Sequence, residues 1–120
     1  MNGDISFLEF GSIEADTGKS QIFFGKVCGW HFHPMPQGGG WFQGPRIRVG
    51  LHGNDPGPAI YVFFEVGNLE EAIAIVRAAG GEADPPETEE PGFGRFSNGR
   101  DPQGIRFGLH QKPELTASAG

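Results

Sequence analysis

The chain is poor in several residue types that mark particular protein classes. It has a single cysteine, Cys28, which excludes an intrachain disulfide and any site built from several thiolates. Lysine and arginine number 9 against 15 aspartates and glutamates, so the formal net charge is −6, and the basic residues form no stripe. Neither a nucleic-acid backbone nor an anionic membrane surface is therefore an expected partner.

Long apolar runs are missing as well. No segment approaches the roughly 18 consecutive apolar residues of a membrane-spanning helix, and the N-terminus lacks the basic-then-apolar pattern of a secretory signal. The cytoplasm is the simplest compartment consistent with these features. A length of 120 residues predicts a single domain. The 11 phenylalanines supply apolar bulk for a core and for a pocket.

An internal repeat is the strongest feature that is present. Residues 7–12 (FLEFGS) return as residues 63–68 (FFEVGN) 56 positions later, and residues 48–52 (RVGLH) return as residues 106–110 (RFGLH) 58 positions later. Two matches in the same order, at nearly the same offset, predict two copies of one supersecondary unit. Two copies are too few for a solenoid, so we expect a compact domain with pseudo-two-fold symmetry.

The first copy predicts a strand, a helix and three more strands. Ile22, Phe23 and Val27 recur at helical spacing, with Asp16 as the N-cap and Gly29 as the stop of a helix over residues 16–28. The strands are expected at residues 5–10, 30–33, from residue 41 and at residues 46–52.

The second copy predicts the same order. Asn68 is expected to cap a helix, with Glu71 three residues on as in a capping box, and Gly80 is expected to end it. The helix carries an apolar stripe, and the sequence around it predicts strands and a tight turn. The stripe is Leu69, Ile73, Val76 and Ala79; the strands lie at residues 59–66, 95–96 and 105–110, and the turn at residues 101–104.

Both copies therefore predict an α+β fold of two tandem βαβββ modules within one domain, residues 1–120. Module 1 spans about residues 4–53 and module 2 about residues 59–111. Residues 112–120 are small and polar and predict a flexible tail.

Five segments, taken in order, resemble the vicinal oxygen chelate superfamily, which includes glyoxalase I, bleomycin-resistance proteins and extradiol dioxygenases. The resemblance covers about residues 5–111. It implies paired βαβββ modules whose sheets curve around a shared cleft, usually in a homodimer. The segments are residues 23–30 (FFGKVCGW), 66–72 (VGNLEEA), 79–81 (AGG), 91–96 (PGFGRF) and 101–104 (DPQG).

Enzymes of this superfamily hold a divalent cation on four strand positions, with His, Glu or Gln as ligands. The resemblance places Ile5, Gly50, Tyr61 and Gly108 at those positions. Three of these have no side-chain ligand and tyrosine is a rare one, whereas a cation needs several converging donors. We therefore expect no metal cofactor, and the basis for a glyoxalase or ring-cleaving activity is removed.

Strand alternation predicts which other side chains share the cleft face with these four positions. Each module contributes one Glu, one Arg and one His beside a Phe, and Trp41 is a further aromatic. The expected ligand-binding residues are Phe7, Glu9, Trp41, Arg48, Gly50, His52, Tyr61, Phe63, Glu65, Arg106, Gly108 and His110.

Several interpretations of these residues stay open. Glu9 with Arg48, and Glu65 with Arg106, are most simply cross-strand ion pairs; alternatively the arginines face a ligand and the glutamates orient them. A rebuilt metal site is chemically possible as well, and its ligands would be Glu9, His52, Glu65 and His110. Two further histidines, His31 and His33, suggest an exposed edge without function, and Cys28 suggests a small core residue.

The favoured function is the binding of a small aromatic or anionic organic molecule in a metal-free cleft of a homodimer. No catalytic residue is assigned. The alternatives are a divalent-metal lyase, isomerase or dioxygenase with a rebuilt site, and a non-catalytic dimeric structural module whose cleft is plugged by Phe7 and Phe63.

Overall fold

The computed structural model describes residues 2–36 and 38–113. It confirms the α+β class and the repeated strand, helix, strand, strand, strand order. Among the described residues, neither helix is both long enough and apolar enough to cross a lipid bilayer. The elements are β1 (Ile5–Gly11), α1 (Gly18–Cys28), β2 (His31–Pro34), β3 (Gly40–Gln43), β4 (Arg48–His52), β5 (Ala59–Glu65), α2 (Leu69–Ala78), β6 (Glu82–Ala83), β7 (Arg95–Arg100) and β8 (Arg106–Gln111).

The chain divides into two compact units, which we call the first unit (residues 6–62) and the second unit (residues 1–5 with 63–120). These bounds differ from the predicted modules because the N-terminal segment joins the second unit through its backbone. The amide of Gly3 donates to the carbonyl of Glu65 (2.8 Å), and the amide of Glu65 donates to the carbonyl of Asp4 (2.6 Å).

The first unit has strands in the order β2-β3-β4-β1, in which β1 and β4 are parallel and the other pairs antiparallel. Its core lies on one face of these strands, as alternation predicts. Phe42 and Val49 are almost completely buried there. The remaining core residues are Phe10 and Leu51, with Leu8, Phe24, Trp30 and Phe32 packed against them.

Helix α1 differs from the sequence prediction at its start and in the side it buries. It begins at Gly18, two residues later than expected, because the Asp16 carboxylate accepts the Gly18 amide (2.9 Å) in a turn before the helix. The apolar residues used for the prediction are exposed: Ile22 is 62% and Val27 65% accessible. Phe24 is the residue that packs against the core. Cys28 is exposed as well, so its prediction as a core residue was wrong.

The second unit repeats this arrangement, with strands in the order β5-β8-β7-β6 and only β5 and β8 parallel. Leu69 and Ile73 of α2 are buried against Leu109 of β8 and Val66, in agreement with the predicted apolar stripe. Strand β6 has only two residues, so it carried no periodic signal and was missed. Strand β7 extends four residues beyond the predicted strand at residues 95–96.

The predicted turn and cap are confirmed, and the predicted tail is only partly described. The Gly104 amide donates to the Asp101 carbonyl (3.0 Å), which closes the turn at residues 101–104. Helix α2 begins after Asn68, whose side-chain oxygen accepts the Glu71 amide (2.9 Å). Of the tail, residues 114–120 lie outside the described residues, and Lys112 forms an ion pair with Glu65.

Replacement of Asn68 by alanine should lower the free energy of unfolding by about 1 kcal/mol, because the Glu71 amide loses its acceptor at an exposed helix start. Urea unfolding followed by circular dichroism measures this change. Asn68→Asp is the matched control, since it keeps an oxygen acceptor at the cap and should stay close to the parent chain. Equal losses in both variants would contradict the capping role.

Candidate functional site

The parallel pairing of β1 with β4 defines the face of the first unit opposite its core. Glu9 lies opposite Gly50, and Gly50 lies opposite Trp41 of β3. Trp41 in turn lies opposite His33 of β2. Paired residues of neighbouring strands point to the same side, so these four residues form one row across the strands. We call this side, together with Arg48 and His52 on β4, the site face.

A continuous chain of hydrogen bonds is formed at one end of the site face. The Nδ1 atom of His52 lies 2.8 Å from Glu9 Oε2, and its Nε2 atom lies 3.1 Å from Asp55 Oδ1. The Tyr61 hydroxyl donates to the second oxygen of Asp55, at 3.0 Å. The sequence predicted Glu9, His52 and Tyr61 for this region, and the structure brings them together through Asp55.

This arrangement favours the protonated form of His52. Both ring nitrogens face carboxylate oxygens, and only the imidazolium donates from both. Burial favours the neutral ring, but hydrogen bonds to Glu9 and Asp55 and the charges of both carboxylates outweigh it, so the pKa of His52 lies above its ordinary 6.5. The side chains of Glu9 and Asp55 are only 25% and 14% exposed, which limits solvent screening of the two pairs.

Two glycines provide the space that these carboxylates occupy. A Cβ atom on Gly50 would lie 2.3 Å from Glu9 Oε1, and a Cβ atom on Gly11 would lie 2.3 Å from Asp55 Oδ2. No real Cβ atom tolerates such distances, so the absence of a side chain at both positions permits the close approach of the carboxylates. The space above Gly50, which has no side chain of its own, is therefore occupied by the Glu9 carboxylate.

The other end of the site face is built around Trp41. The His33 ring stacks on the indole, with ring centroids 4.1 Å apart and planes at 16°. The guanidinium carbon of Arg48 lies over the same indole, 4.9 Å from the ring centroid. A cation over an indole is an attractive arrangement. Arg48 is therefore partly fixed, half-buried and directed along the site face.

Phe7 precedes Glu9 by two residues on β1, so it lies on the same face of the strand. It stands opposite Arg48 in the parallel register, and only 7% of its surface is exposed.

Glu9 has His52 as a partner, a pairing that the sequence analysis did not anticipate. The predicted pairing of Glu9 with Arg48 stays a prediction.

The second unit uses the equivalent residues differently. The Phe63 ring covers Gly108: a Cβ atom on this glycine would lie 2.1 Å from a ring carbon. Phe63 is 6% exposed and packs edge-on against Phe96, with centroids 5.4 Å apart. This glycine therefore accommodates a neighbouring ring.

His110, the counterpart of His52 in the repeat, is buried and bonds to a backbone carbonyl. It is 5% exposed, its Nε2–H donates to the Phe93 carbonyl (2.6 Å), and its ring stacks parallel on Phe96 at 4.6 Å.

The charged residues of the second unit also have different neighbours from those of the first. Glu65 lies 3.3 Å from the ammonium of Lys112, a partner that the sequence analysis missed. Arg106 is exposed at the start of β8, opposite Arg100. The predicted pairing of Glu65 with Arg106 stays a prediction.

The four strand positions that the family resemblance assigns to a cation have the following surroundings, each within its own unit. Gly50 and Gly108 lie beneath Glu9 and Phe63, and the Tyr61 hydroxyl is used by Asp55. Ile5 has no donor atom. Within residues 2–36 and 38–113, no group of three or more His, Cys, Asp or Glu side chains is arranged to hold a metal ion.

Sequence reasoning missed Asp55 because it lies in the irregular segment between the two copies. Its carboxylate joins His52 to Tyr61, so it completes the chain of hydrogen bonds. The signal that could have found it is the bare Gly11: a glycine that ends a strand opposite a histidine leaves space for a side chain from the following loop.

Comparison with solved structures identifies the fold. The chain superimposes on methylmalonyl-CoA epimerase from Mycobacterium tuberculosis with a TM-score of 0.71 and 13% identity, over 98% of this chain and 92% of that one. A hypothetical protein from Bacillus halodurans C-125 gives a TM-score of 0.73 and 12% identity, over 95% and 97%. For 2,2',3-trihydroxybiphenyl 1,2-dioxygenase from Sphingomonas wittichii strain RW1 the values are 0.70 and 13%, over 97% and 43%.

These similarities confirm the vicinal oxygen chelate fold, to which the epimerase and the extradiol dioxygenase belong. No family model matches the sequence, and no curated protein matches it either. At identities of 10 to 17% the structural neighbours establish the fold alone.

Replacement of Gly50 by alanine should displace the Glu9 carboxylate and lower the pKa of His52 towards 6.5, because the new methyl group occupies the position of Glu9 Oε1. NMR titration of the His52 ring measures the change. Gly57→Ala is the control, since nothing lies within 4 Å of a Cβ atom at residue 57. An unchanged pKa of His52 in Gly50→Ala would contradict the described contact.

The raised pKa of His52 makes its contribution to stability dependent on pH. A group whose pKa is higher in the folded chain stabilises fully below its unfolded value of 6.5, and the stabilisation disappears as pH rises through the folded value. The loss of unfolding free energy on His52→Gln should therefore be larger at about pH 6 than at about pH 9. Urea unfolding at both pH values measures it, and equal losses would show that His52 is not a folded-state cation.

Proposed function

We propose that this protein binds a small aromatic or anionic organic molecule on the site face of the first unit, without a metal ion. The observation that carries the proposal is the guanidinium of Arg48 held over Trp41, beside the Glu9–His52–Asp55–Tyr61 hydrogen-bond chain. A planar guanidinium binds carboxylate and phosphate oxygens in a bidentate manner. Aromatic side chains next to it offer contacts for a flat guest molecule.

The charges of the site face support an anionic group at Arg48. Glu9 and Asp55 are carboxylates on either side of His52, whose raised pKa favours a positive charge between them. The imidazolium therefore compensates part of the carboxylate charge that would otherwise repel an anion. In this role His52 does not touch the guest molecule. Its positive charge reduces the repulsion between the two carboxylates and an anion bound at Arg48.

The second unit is the less suitable half for a guest. Phe63 already covers Gly108, and the rings of Phe96 and His110 are stacked on each other next to it. A filled space over Gly108 is what the alternative of a non-catalytic structural module would require, since in that alternative Phe63 blocks the space for a guest molecule. The first unit instead has charged side chains above its glycine, which a guest can contact.

Two structural neighbours are named for molecules of the proposed kind. The epimerase is named for methylmalonyl-CoA, which is an anion. Another structural neighbour is a methylmalonyl-CoA epimerase in complex with methylmalonyl-CoA and NH4+. The dioxygenase is named for a trihydroxybiphenyl, which is aromatic. These names support the substrate class by analogy of fold.

Tryptophan fluorescence provides the direct test. Trp30 packs in the core with Phe24 and Phe42, so the variant Trp30→Phe leaves Trp41 of the site face as the sole indole. Salicylate, biphenyl-4-carboxylate and acetyl-CoA are titrated into this variant, with and without a chelator. At least one should change the emission saturably, with the same affinity in the presence of the chelator.

Arg48→Ala should then weaken binding by about tenfold or more, because a charge-assisted hydrogen bond is lost. Arg46→Ala, an exposed neighbour with the same change of charge, is the matched control and should leave the affinity nearly unchanged. Absence of saturable binding by all three probes, or equal effects of the two arginine variants, would contradict the proposal. Stoichiometric metal in protein purified without chelator would favour the metal-dependent alternative.

A further inference from the structure

Two histidines on the edge of the first unit take no part in the chain of hydrogen bonds around His52. His31 and His33 lie on β2, the outermost strand of the unit, one residue apart. Residues i and i+2 of a strand point to the same face. His31 is exposed and lies opposite Gln43, and His33 is half-buried and lies opposite Trp41.

The separation of the two rings matches that of two imidazoles on one metal ion. Their centroids are 4.7 Å apart, with planes at 74°. A metal at about 2.0–2.1 Å from a ring nitrogen lies about 3.2 Å from the centroid of that ring. Ligand angles of about 90° to 109° then place the two centroids about 4.5 to 5.2 Å apart. The observed separation falls within this range.

The His33 ring is also braced on one side. Trp41 stacks against it at 4.1 Å, and Arg48 lies over the same indole. Packing of this kind reduces the rotamer freedom that the histidine would lose when it binds a metal. One of the two ligands is therefore already ordered.

We propose that His31 and His33 chelate a borderline transition-metal ion, Cu²⁺, Ni²⁺ or Zn²⁺, at the edge of the first unit. Imidazole nitrogen suits these ions, and their affinities should follow the order in which Cu²⁺ binds most tightly. The site provides two protein ligands, and the remaining coordination positions are left to water or small anions. His33 lies on the site face and stacks on Trp41, so the metal site borders the proposed guest site. It uses none of the four strand positions that the family resemblance assigns to a cation.

The test uses the full chain with Cys28→Ala, which removes the exposed thiol as a competing ligand. Isothermal titration with Cu²⁺, Ni²⁺ and Zn²⁺ should give one equivalent of binding. With Trp30→Phe added, bound Cu²⁺ should quench the fluorescence of Trp41, whose ring is stacked on His33.

His31→Ala and His33→Ala should each weaken binding of Cu²⁺ by at least about tenfold, since even loss of an outer-shell partner costs about 10- to 100-fold. Circular dichroism verifies that both variants fold, and His31→Gln serves as a milder second variant. No saturable binding, or affinity that is unchanged in both alanine variants, would overturn the proposal. Binding that is lost only in His52→Ala would overturn it as well, because the ion would then be held by the Glu9 and Asp55 cluster.

Discussion

The close approach of Glu9 to the bare backbone of Gly50 is the constraint on which the arrangement of the site face depends. The parallel register of β1 and β4 sets these residues opposite each other, and the missing Cβ atom lets the carboxylate lie over the strand. From there Glu9 holds one side of the His52 ring while Asp55 holds the other. A side chain at residue 50 would leave the fold possible but would move the carboxylate that defines the site face.

The two halves of the chain share a backbone plan and differ in what they build on it. At equivalent places of the repeat, Gly50 lies under a carboxylate and Gly108 under a phenyl ring. His52 is a partly exposed cation, and His110 is a buried donor to a backbone carbonyl. The two copies therefore share the order of their strands. The chemistry of each copy is determined by a few side chains and by the loops next to them.

Periodicity and the repeat were sufficient to predict the architecture. The order of elements along each copy, the Asn68 cap and the core side of the strands follow from alternation, spacing and turn residues. Which side of α1 faces solvent could not be predicted. The helical spacing of Ile22 and Val27 indicates a helix, but it is the same whether these residues are buried or, as here, exposed. Residues 82–83 form a strand too short to show any pattern.

The sequence predicted which residues share a strand face, but neither their pairings nor the contribution of Asp55. Alternation placed Glu9, His52 and Tyr61 on one face, but their link depends on Asp55, which belongs to a loop without periodic signal. In the second unit, Glu65 pairs with Lys112 from the segment after β8, where composition predicted only a tail. Such contacts depend on how a loop returns to a strand, which no local pattern encodes.

The central claim is that His52 is an imidazolium held between Glu9 and Asp55. Neutron diffraction from a crystal of the protein grown near neutral pH in D2O shows ring deuterons directly. The account predicts deuterons on both Nδ1 and Nε2 of His52, directed at Glu9 and Asp55, with the Glu9 carboxylate over Gly50. A singly protonated ring, or a metal ion between the two carboxylates, would contradict it.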